Sequence, residues 1–146
     1  MTPLKVVYDS FLSKILDDEW AFWTEEEIKQ DLFQLLNGAI VWFKFPKVSL
    51  EIEGECFVDK LSRTEIEILA TYMKCEWLNR TILTWENVKP LYEERDFSQA
   101  NLIDKFTDLL NREQEKAAEL EKRYYRLRQG KQGSPFDYTK LAGGKK

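Results

Sequence analysis

The clearest hydrophobic pattern in the chain covers residues 24–45. Its apolar positions recur every three or four residues, which places them on one face of a helix; they are Ile28, Leu32, Leu35, Leu36, Ala39, Ile40 and Phe43. Thr24, followed three residues later by Glu27, predicts a capping box at the start of this helix. Pro46 predicts its end, because proline pushes the preceding residue out of the helical conformation.

Residues 8–16 and 62–83 show the same periodicity. The shorter segment has a small apolar face formed by Phe11, Leu12, Ile15 and Leu16. The longer segment opens with Ser62 and Glu65, which form a second capping-box pair. Its wide apolar face predicts a central helix that is contacted on more than one side; the face consists of Ile66, Ile68, Leu69, Ala70, Tyr72, Met73, Cys75 and Trp77.

The longest predicted helix covers residues 98–129, with Ser98 as its cap. Its ~31 helical residues would span ~46 Å at the rise of an α-helix. A compact chain of this size has a diameter of only ~38 Å. We therefore expect the helix to extend past the rest of the protein, so that apolar residues near its end need a partner surface. Those residues are Leu120, Tyr124 and Leu127.

Two segments between the helices are not helical in pattern. Residues 48–58 alternate apolar and polar positions around Gly54, which predicts a small β-hairpin. Residues 84–97 mix aromatic and charged side chains without a clear period. A loop of that length in a compact domain is more often functional than structural. Trp85 and Tyr92 are therefore candidate contact residues.

The last residues, 130–146, are rich in glycine and lysine, and Phe136, Tyr138 and Leu141 are isolated apolar positions among them. Such a segment has too little apolar surface to fold alone. We predict a mainly α protein: a helical bundle with a long C-terminal helix, one small β-hairpin and an extended C-terminal tail. The domain division is residues 1–129 for the bundle and residues 130–146 for the tail.

The net charge of −4 is unevenly distributed along the chain. Residues 9–31 are mainly acidic and residues 122–146 are mainly basic. Two solvated faces of opposite charge explain this segregation, and by itself it favours that interpretation. The alternative is that one end of a subunit attracts the other end of its neighbour in a head-to-tail ring.

Composition excludes several classes of protein. No stretch approaches the ~18 uncharged apolar residues of a membrane span, and the N-terminus has no secretory pattern. We therefore expect a protein that is made in a reducing cytosol, with Cys56 and Cys75 as buried free thiols. The chain has no histidine, and it lacks the sequence patterns of nucleotide-binding loops, hydrolases and zinc sites. We predict a non-enzymatic protein without a cofactor.

A carboxylate cluster and a basic cluster remain as candidate chemistry. Glu25, Glu26 and Glu27 could bind a metal, but a negatively charged helix start explains their position better. Basic and aromatic residues interleave at positions 122–128, as on nucleic-acid surfaces. Acidic residues precede them on the same helix, so we expect proximity to DNA without sequence-specific binding.

Aromatic residues make up 14% of the chain, and two sets of them bear on function. Five lie in the helical segments and are predicted to be core; they are Phe33, Trp42, Phe43, Tyr72 and Trp77. Four more lie outside the clear stripes, and for them core and interface are equally open; they are Trp20, Trp23, Trp85 and Tyr92.

The order of these elements resembles the small connector, or adaptor, proteins of tailed bacteriophages. The pieces that match are the helix at 24–45, the hairpin at 48–58, the helix at 62–83, and the long helix at 98–129 with its tail. Residues 71–80 through 92–98 also look like a stretch found in phage neck proteins. The resemblance covers most of the chain and is architectural, since no catalytic motif takes part in it.

The resemblance implies a structural role. Connector subunits form a ring, commonly of twelve copies, below the portal in the virion neck, and they link capsid to tail while DNA passes through the channel. It implies that the tail binds the portal through Phe136, Tyr138, Lys140 and Leu141, and that tail-side neck or tail proteins bind the ring. The inter-subunit contacts expected are Trp85, Tyr92, Leu120, Tyr124 and Leu127.

Two other functions remain open. One is a small helical regulatory or inhibitor protein that binds a host protein, as a monomer or dimer, through Trp85 and Tyr92. The other is a carboxylate-based metalloenzyme that depends on Glu26 or Glu27. The resemblance favours the connector over both.

Overall fold

The computed structural model describes residues 1–15, 23–88 and 96–131, apart from some helix-end side chains (85, 87–88, 96–102 and 127–131). Within these residues four helices account for most of the structure: α1 (Leu4–Leu12), α2 (Glu25–Trp42), α3 (Arg63–Val88) and α4 (Asp96–Lys131). Three two-residue strands form a small sheet: β1 (Thr2–Pro3), β2 (Ile52–Glu53) and β3 (Cys56–Phe57). The predicted mainly helical fold with a long last helix is confirmed. The tail at 132–146 lies outside the described residues, so the division at residue 130 stays a prediction.

Helix α2 begins as the sequence predicts. The Thr24 side chain accepts the Glu27 backbone N–H at 3.2 Å, and the Glu27 carboxylate accepts the Thr24 N–H at 2.8 Å. Each partner satisfies a donor that the first helical turn would otherwise leave unpaired. The predicted apolar face is buried at Leu32, Leu35, Leu36 and Ala39, and the helix ends at Trp42.

Helix α3 is the centre of the protein and packs against α1, α2 and α4. The prediction of a helix contacted on several sides is confirmed by a continuous series of fully buried residues: Ile68, Leu69, Ala70, Met73 and Leu78. The predicted end at Leu83 is wrong, because α3 continues to Val88. Thr81 and Thr84 donate their hydroxyl protons to carbonyl oxygens one turn earlier in the helix, at 2.9 Å each. Both therefore fit inside the helix.

The predicted bounds of the loop at 84–97 are wrong at both ends, because the helices on either side extend into it. Residues 84–88 belong to α3, and residues 96–97 belong to α4, which begins two residues before the predicted cap at Ser98. Residues 89–95 lie outside the described part of the chain. At its other end α4 continues to Lys131, one residue past Gly130.

The small sheet contains the predicted hairpin and one strand that the sequence did not indicate. β3 lies between β1 and β2 and pairs antiparallel with both, with Phe57 opposite Thr2 and Ile52. Gly54 has a φ of 65°, a left-handed conformation that glycine adopts without steric cost. The Thr2 hydroxyl accepts the buried Leu61 N–H at 2.9 Å, which attaches the N-terminus to the segment before α3.

Helix α1 lies earlier in the chain than predicted, at Leu4–Leu12 instead of 8–16. Its buried face is formed by Leu4, Val7 and Phe11. Pairing of β1 with β3 places the helix start beside the sheet, where the Leu4 N–H donates to the Glu55 carbonyl oxygen at 2.9 Å. A hydrogen bond to a distant segment therefore sets the start of this helix.

Candidate interaction surface

A groove of about 510 Å³ lies where the end of α2 meets α3 and α4. Aromatic and charged side chains line it together; its lining is Trp42, Lys44, Phe45, Tyr72, Cys75, Glu76, Asn79, Gln114, Ala118, Glu121, Lys122 and Tyr125. Its volume is within the range of protein binding sites, ~300–1,000 Å³. We call this site the α2–α4 groove.

Large apolar side chains are exposed at the edge of this groove. Phe45 is 69% exposed and Trp42 45%. Single exposed apolar residues are ordinary, but two that line the same groove form a patch of the kind that marks interaction sites. The α2–α4 groove therefore has an apolar edge without a covering element in the described residues.

Trp42 is held in a defined orientation although it is half exposed. Its ring stacks on Tyr72 with centroids 6.1 Å apart and planes 16° from parallel. Its indole N–H donates to the Glu76 carboxylate at 2.8 Å. The Glu76 carboxylate occupies space that exists because residue 38 is glycine: a Cβ there would lie 2.5 Å from Glu76 Oε1. Gly38 thus allows the contact that orients Trp42.

Tyrosine hydroxyls surround a buried carboxylate at the base of the groove. Glu121 is 8% exposed, and it accepts hydrogen bonds from Tyr72 and, at 2.9 Å, from Tyr125. Burial, followed by the bond to Glu121, raises the pKa of Tyr125 to about 12. The same causes raise the pKa of Tyr72. Both hydroxyls therefore stay protonated near neutral pH and act as hydrogen-bond donors.

The mouth of the groove carries positive charge. Lys44 and Lys122 line it, and Arg126 follows Lys122 one turn later on the same face of α4. All three are exposed, and none forms an ion pair with another described residue. The two carboxylates inside, Glu76 and Glu121, accept hydrogen bonds from the groove's own aromatic side chains. The lining of the groove therefore holds two cationic and two acidic side chains.

Tyr124, beside the groove, is closed off from solvent. Its side chain is 2% exposed, and its hydroxyl donates to Glu65 Oε2 at 2.5 Å while accepting the Lys47 backbone N–H at 2.6 Å. The Phe43 ring contacts it edge-on with centroids 5.4 Å apart. Tyr124, a predicted inter-subunit contact, is instead enclosed within its own chain by residues of α3 and of the segment after α2.

The other predicted contact residues are placed only in part. Leu120 is half-buried against the same core, so the expected overhang of α4 does not begin there. Trp85 and Leu127 lie within α3 and α4, but their side chains are outside the description. The remaining predicted site residues fall outside the described ranges altogether; they are Tyr92, Phe136, Tyr138, Lys140 and Leu141.

Two of the five predicted core aromatics are on the surface. Phe43, Tyr72 and Trp77 are buried, as expected. Phe33 is 39% exposed and Trp42 45%, so the prediction is wrong for both. The helical period of α2 places Phe33 outside the buried face, because Phe33 and Val41 point away from the residues that α2 buries.

Neither the carboxylates at 25–27 nor the two cysteines belong to a metal-binding group in the described residues. Glu25, Glu26 and Glu27 are exposed side chains of the first turn of α2, and residues 1–15, 23–88 and 96–131 contain no group of three or more residues placed to hold a metal ion. Burial, followed by the nearby Glu113, raises the pKa of Cys75 to about 12, so this thiol is protonated and unreactive. Cys75 is buried, as predicted, whereas Cys56 is only half-buried.

No helix in the ranges that the structure describes has the length and apolar content needed to cross a bilayer. Comparisons with protein-family models, curated proteins and solved structures found nothing that matches this chain.

Proposed function

We propose that the protein is a structural subunit of a bacteriophage neck. In this role it forms a head-to-tail connector ring below the portal, links capsid to tail and lets DNA pass through its channel. It works by assembly and has no enzymatic activity, cofactor or membrane partner. Its binding partners are further copies of itself, the portal protein and the neck or tail proteins on the other side.

The observation that carries this proposal is the exposed apolar edge of the α2–α4 groove. Protein interfaces combine an aromatic, apolar centre with a polar rim, and Trp42 and Phe45 beside Lys44 and Lys122 have that composition. The bonds from Trp42 to Glu76 and from Tyr72 to Glu121 orient the surface before a partner arrives. Preorganisation of this kind lowers the entropic cost of association.

The resemblance of the element order to connector proteins supports the phage context. The architecture that carries it has the long last helix and the hairpin between helices. The second candidate is a small regulatory protein that binds one host protein. The α2–α4 groove favours this candidate too, since a groove can take the apolar face of a single helix.

Electron microscopy of the protein with portal rings separates the two functions. A connector adds a ring of density below the portal, whereas a host-protein inhibitor leaves the portal bare and stays a monomer or dimer. Deleting residues 132–146 should leave the helical circular dichroism unchanged, because α1 to α4 lie within residues 4–131, and should abolish portal binding. Normal portal binding by the truncated protein would contradict the role assigned to the tail.

A further inference from the structure

We propose that the α2–α4 groove binds a small zwitterion that carries a quaternary ammonium and an anion, the chemistry of phosphocholine. The aromatic and acidic side chains of the groove hold the ammonium, and its two lysines hold the anion. The inference goes beyond the proposed function, because ligand binding is measured on the isolated protein and connector assembly is measured on portal rings.

Aromatic rings and carboxylates are paired inside the α2–α4 groove. The Trp42 indole donates its proton to Glu76 at 2.8 Å, and the Tyr125 hydroxyl donates to Glu121 at 2.9 Å. Tyr72 also donates to Glu121. A hydrogen bond to a charged acceptor polarises the donor, which leaves more electron density on the ring. Because the faces of aromatic rings attract cations, and tryptophan does so most strongly, the groove favours positive charge between its rings.

The two carboxylates add negative charge to the same place. Glu121 is 8% exposed, and Glu76 is half-buried. Within residues 1–15, 23–88 and 96–131 neither carboxylate forms an ion pair. A buried carboxylate is costly unless an opposite charge accompanies it. The tyrosine and indole hydrogen bonds fix the carboxylates in position without neutralising them, and a bound cation supplies the opposite charge.

A quaternary ammonium suits this lining better than a primary one. Both oxygens of Glu121 already accept tyrosine protons, and Glu76 Oε2 accepts the indole proton. A primary ammonium brings three N–H groups that each need an acceptor. A quaternary ammonium needs none, and its methyl groups can pack on the exposed rings of Trp42 and Phe45. Several aromatic rings around one cation are the usual way in which proteins recognise this group.

The lysines require that the ligand also carry an anion. Lys44 and Lys122 line the same groove and are exposed, so they would repel a ligand with positive charge alone. Lys44 precedes Phe45 in the chain, and Lys122 lies three residues before Tyr125 on one face of α4. Each ammonium is therefore about one helical turn, ~5 Å, from a ring of the groove. A phosphate joined to trimethylammonium by two carbons matches that separation, and a zwitterion balances two cationic and two acidic side chains.

A ligand series tests whether the groove recognises the positive charge. Isothermal titration calorimetry of the full chain should give a Kd of ~1 mM or tighter for phosphocholine. 3,3-Dimethylbutyl phosphate has the same shape with carbon in place of the charged nitrogen, and it should bind ~10-fold more weakly. Choline should also bind more weakly, because it lacks the anion. Equal affinity for the uncharged isostere or for inorganic phosphate, or no binding of phosphocholine at ~10 mM, would overturn the proposal.

Glu76→Gln tests the carboxylate without removing the contact to Trp42, because an amide oxygen still accepts the indole proton. The variant should lose several-fold affinity for phosphocholine and keep that for 3,3-dimethylbutyl phosphate. Trp42→Leu should also lose more affinity for phosphocholine than for the isostere. Phe33→Leu, at an exposed position of α2 outside the groove, is the matched control and should bind like the wild type. Equal losses for both ligands in Glu76→Gln would contradict recognition of the cation.

Lys122→Gln tests the anion through two ligands that should respond in opposite directions. Phosphocholine loses its counter-charge and should bind more weakly, whereas choline is freed from repulsion and should bind more tightly. Lys105→Gln, at an exposed position of α4 outside the groove, should change neither affinity. A disturbed fold would weaken both ligands, and circular dichroism detects it separately. Unchanged affinity of Lys122→Gln for phosphocholine would remove the lysine from the site and contradict the proposal.

Flotation with lipid vesicles separates two sources of this chemistry. Binding to phosphatidylcholine vesicles that free phosphocholine displaces assigns the ligand to a lipid headgroup. Binding of free phosphocholine without flotation assigns it to a soluble molecule. Equal binding to phosphatidylglycerol vesicles, which lack the ammonium, would contradict the proposal. Portal rings that assemble normally with Glu76→Gln would leave the connector function standing, whatever the titrations give.

Discussion

Trp42, the last residue of α2, and Tyr124 of α4 differ in how far the rest of the chain covers them. Both are aromatic, and both hydrogen-bond to a carboxylate of α3, Tyr124 to Glu65 and Trp42 to Glu76. Tyr124 is enclosed at 2% exposure, whereas Trp42 stays 45% exposed. The presence of aromatic residues therefore does not identify an interface. A candidate interface is identified by the aromatic side chains that the rest of the chain leaves exposed.

Tyr124 is buried because its hydroxyl forms hydrogen bonds to two other parts of the chain, Glu65 and Lys47. Glu65 uses one carboxylate oxygen to accept the Ser62 N–H at 2.6 Å, which completes the cap of α3, and the other to accept the Tyr124 proton. The Lys47 N–H completes the network, and the Lys47 ammonium lies 4.3 Å from the centre of the Tyr124 ring. This side joins α3, α4 and the segment after α2.

The largest expected loss of stability comes from removing the buried Tyr124 side chain. Tyr124→Ala removes a buried ring and leaves the Lys47 N–H without its partner, so we expect a loss of about 3–5 kcal/mol in the free energy of unfolding. Tyr124→Phe keeps the ring and removes only the hydroxyl, which should cost about 1–3 kcal/mol. Urea unfolding measures both. Equal losses for the two variants would show that the hydrogen-bond network, and not the ring, stabilises this side.

A smaller loss of stability should follow from truncating the half-exposed Trp42 side chain. Trp42→Ala loses the stacking on Tyr72 and one hydrogen bond at a half-exposed position, which predicts a cost of about 1–2 kcal/mol. The same variant should lose self-association in sedimentation velocity, because the apolar edge of the groove is gone. A stability loss as large as that of Tyr124→Ala would show that Trp42 contributes as much to folding as the buried Tyr124.

A still smaller effect is expected from Gly38→Ala. The new Cβ would meet the Glu76 carboxylate at 2.5 Å and displace it from the Trp42 indole. Alanine is favoured over glycine within a helix by about 1 kcal/mol, so this gain offsets the lost hydrogen bond and the net stability change should be close to zero. The indole N–H resonance of Trp42 in an NMR spectrum should shift. An unchanged resonance would show that Glu76 does not orient Trp42 in solution.

The smallest expected effect is a change in the free energy of unfolding that occurs only at alkaline pH. Burial raises the pKa of Tyr125 and of Tyr8 to about 12, in the case of Tyr8 with the help of Glu55. Folding therefore favours their protonated form, and the stability this contributes is complete below the unfolded pKa of 10 and is lost as pH rises through 12. Tyr125→Phe should flatten the decline of unfolding free energy in this window. An identical decline in the variant would exclude Tyr125 as a contributor.

Local sequence signals identified most of the helices. The capping boxes at Thr24 and Ser62 mark the starts of α2 and α3 because the groups that bond lie three residues apart. The apolar period of α2 identified its buried face. Signals that depend on a distant partner were missed: β1 has only two residues and is a strand only because β3 pairs with it.

The candidate site shows the same division. The sequence indicated a protein that acts by binding and located aromatic residues near the end of α2, but it assigned Trp42 to the core and Tyr124 to an interface. Their exposures are the reverse. Which side of α2 the last helix covers depends on how α4 lies across α3, and no local pattern in either helix specifies that crossing.

The sequence alone determined that this chain forms long amphipathic helices with defined starts, since caps and apolar periods act between residues a few positions apart. Only the tertiary structure decided which aromatic side chains are enclosed and which remain for a partner. Burial depends on residues that are distant in the chain, such as Glu65 and Tyr124, meeting across two helices. Whether the exposed edge of α2 is covered is settled by the packing of α4, through contacts that span the whole domain.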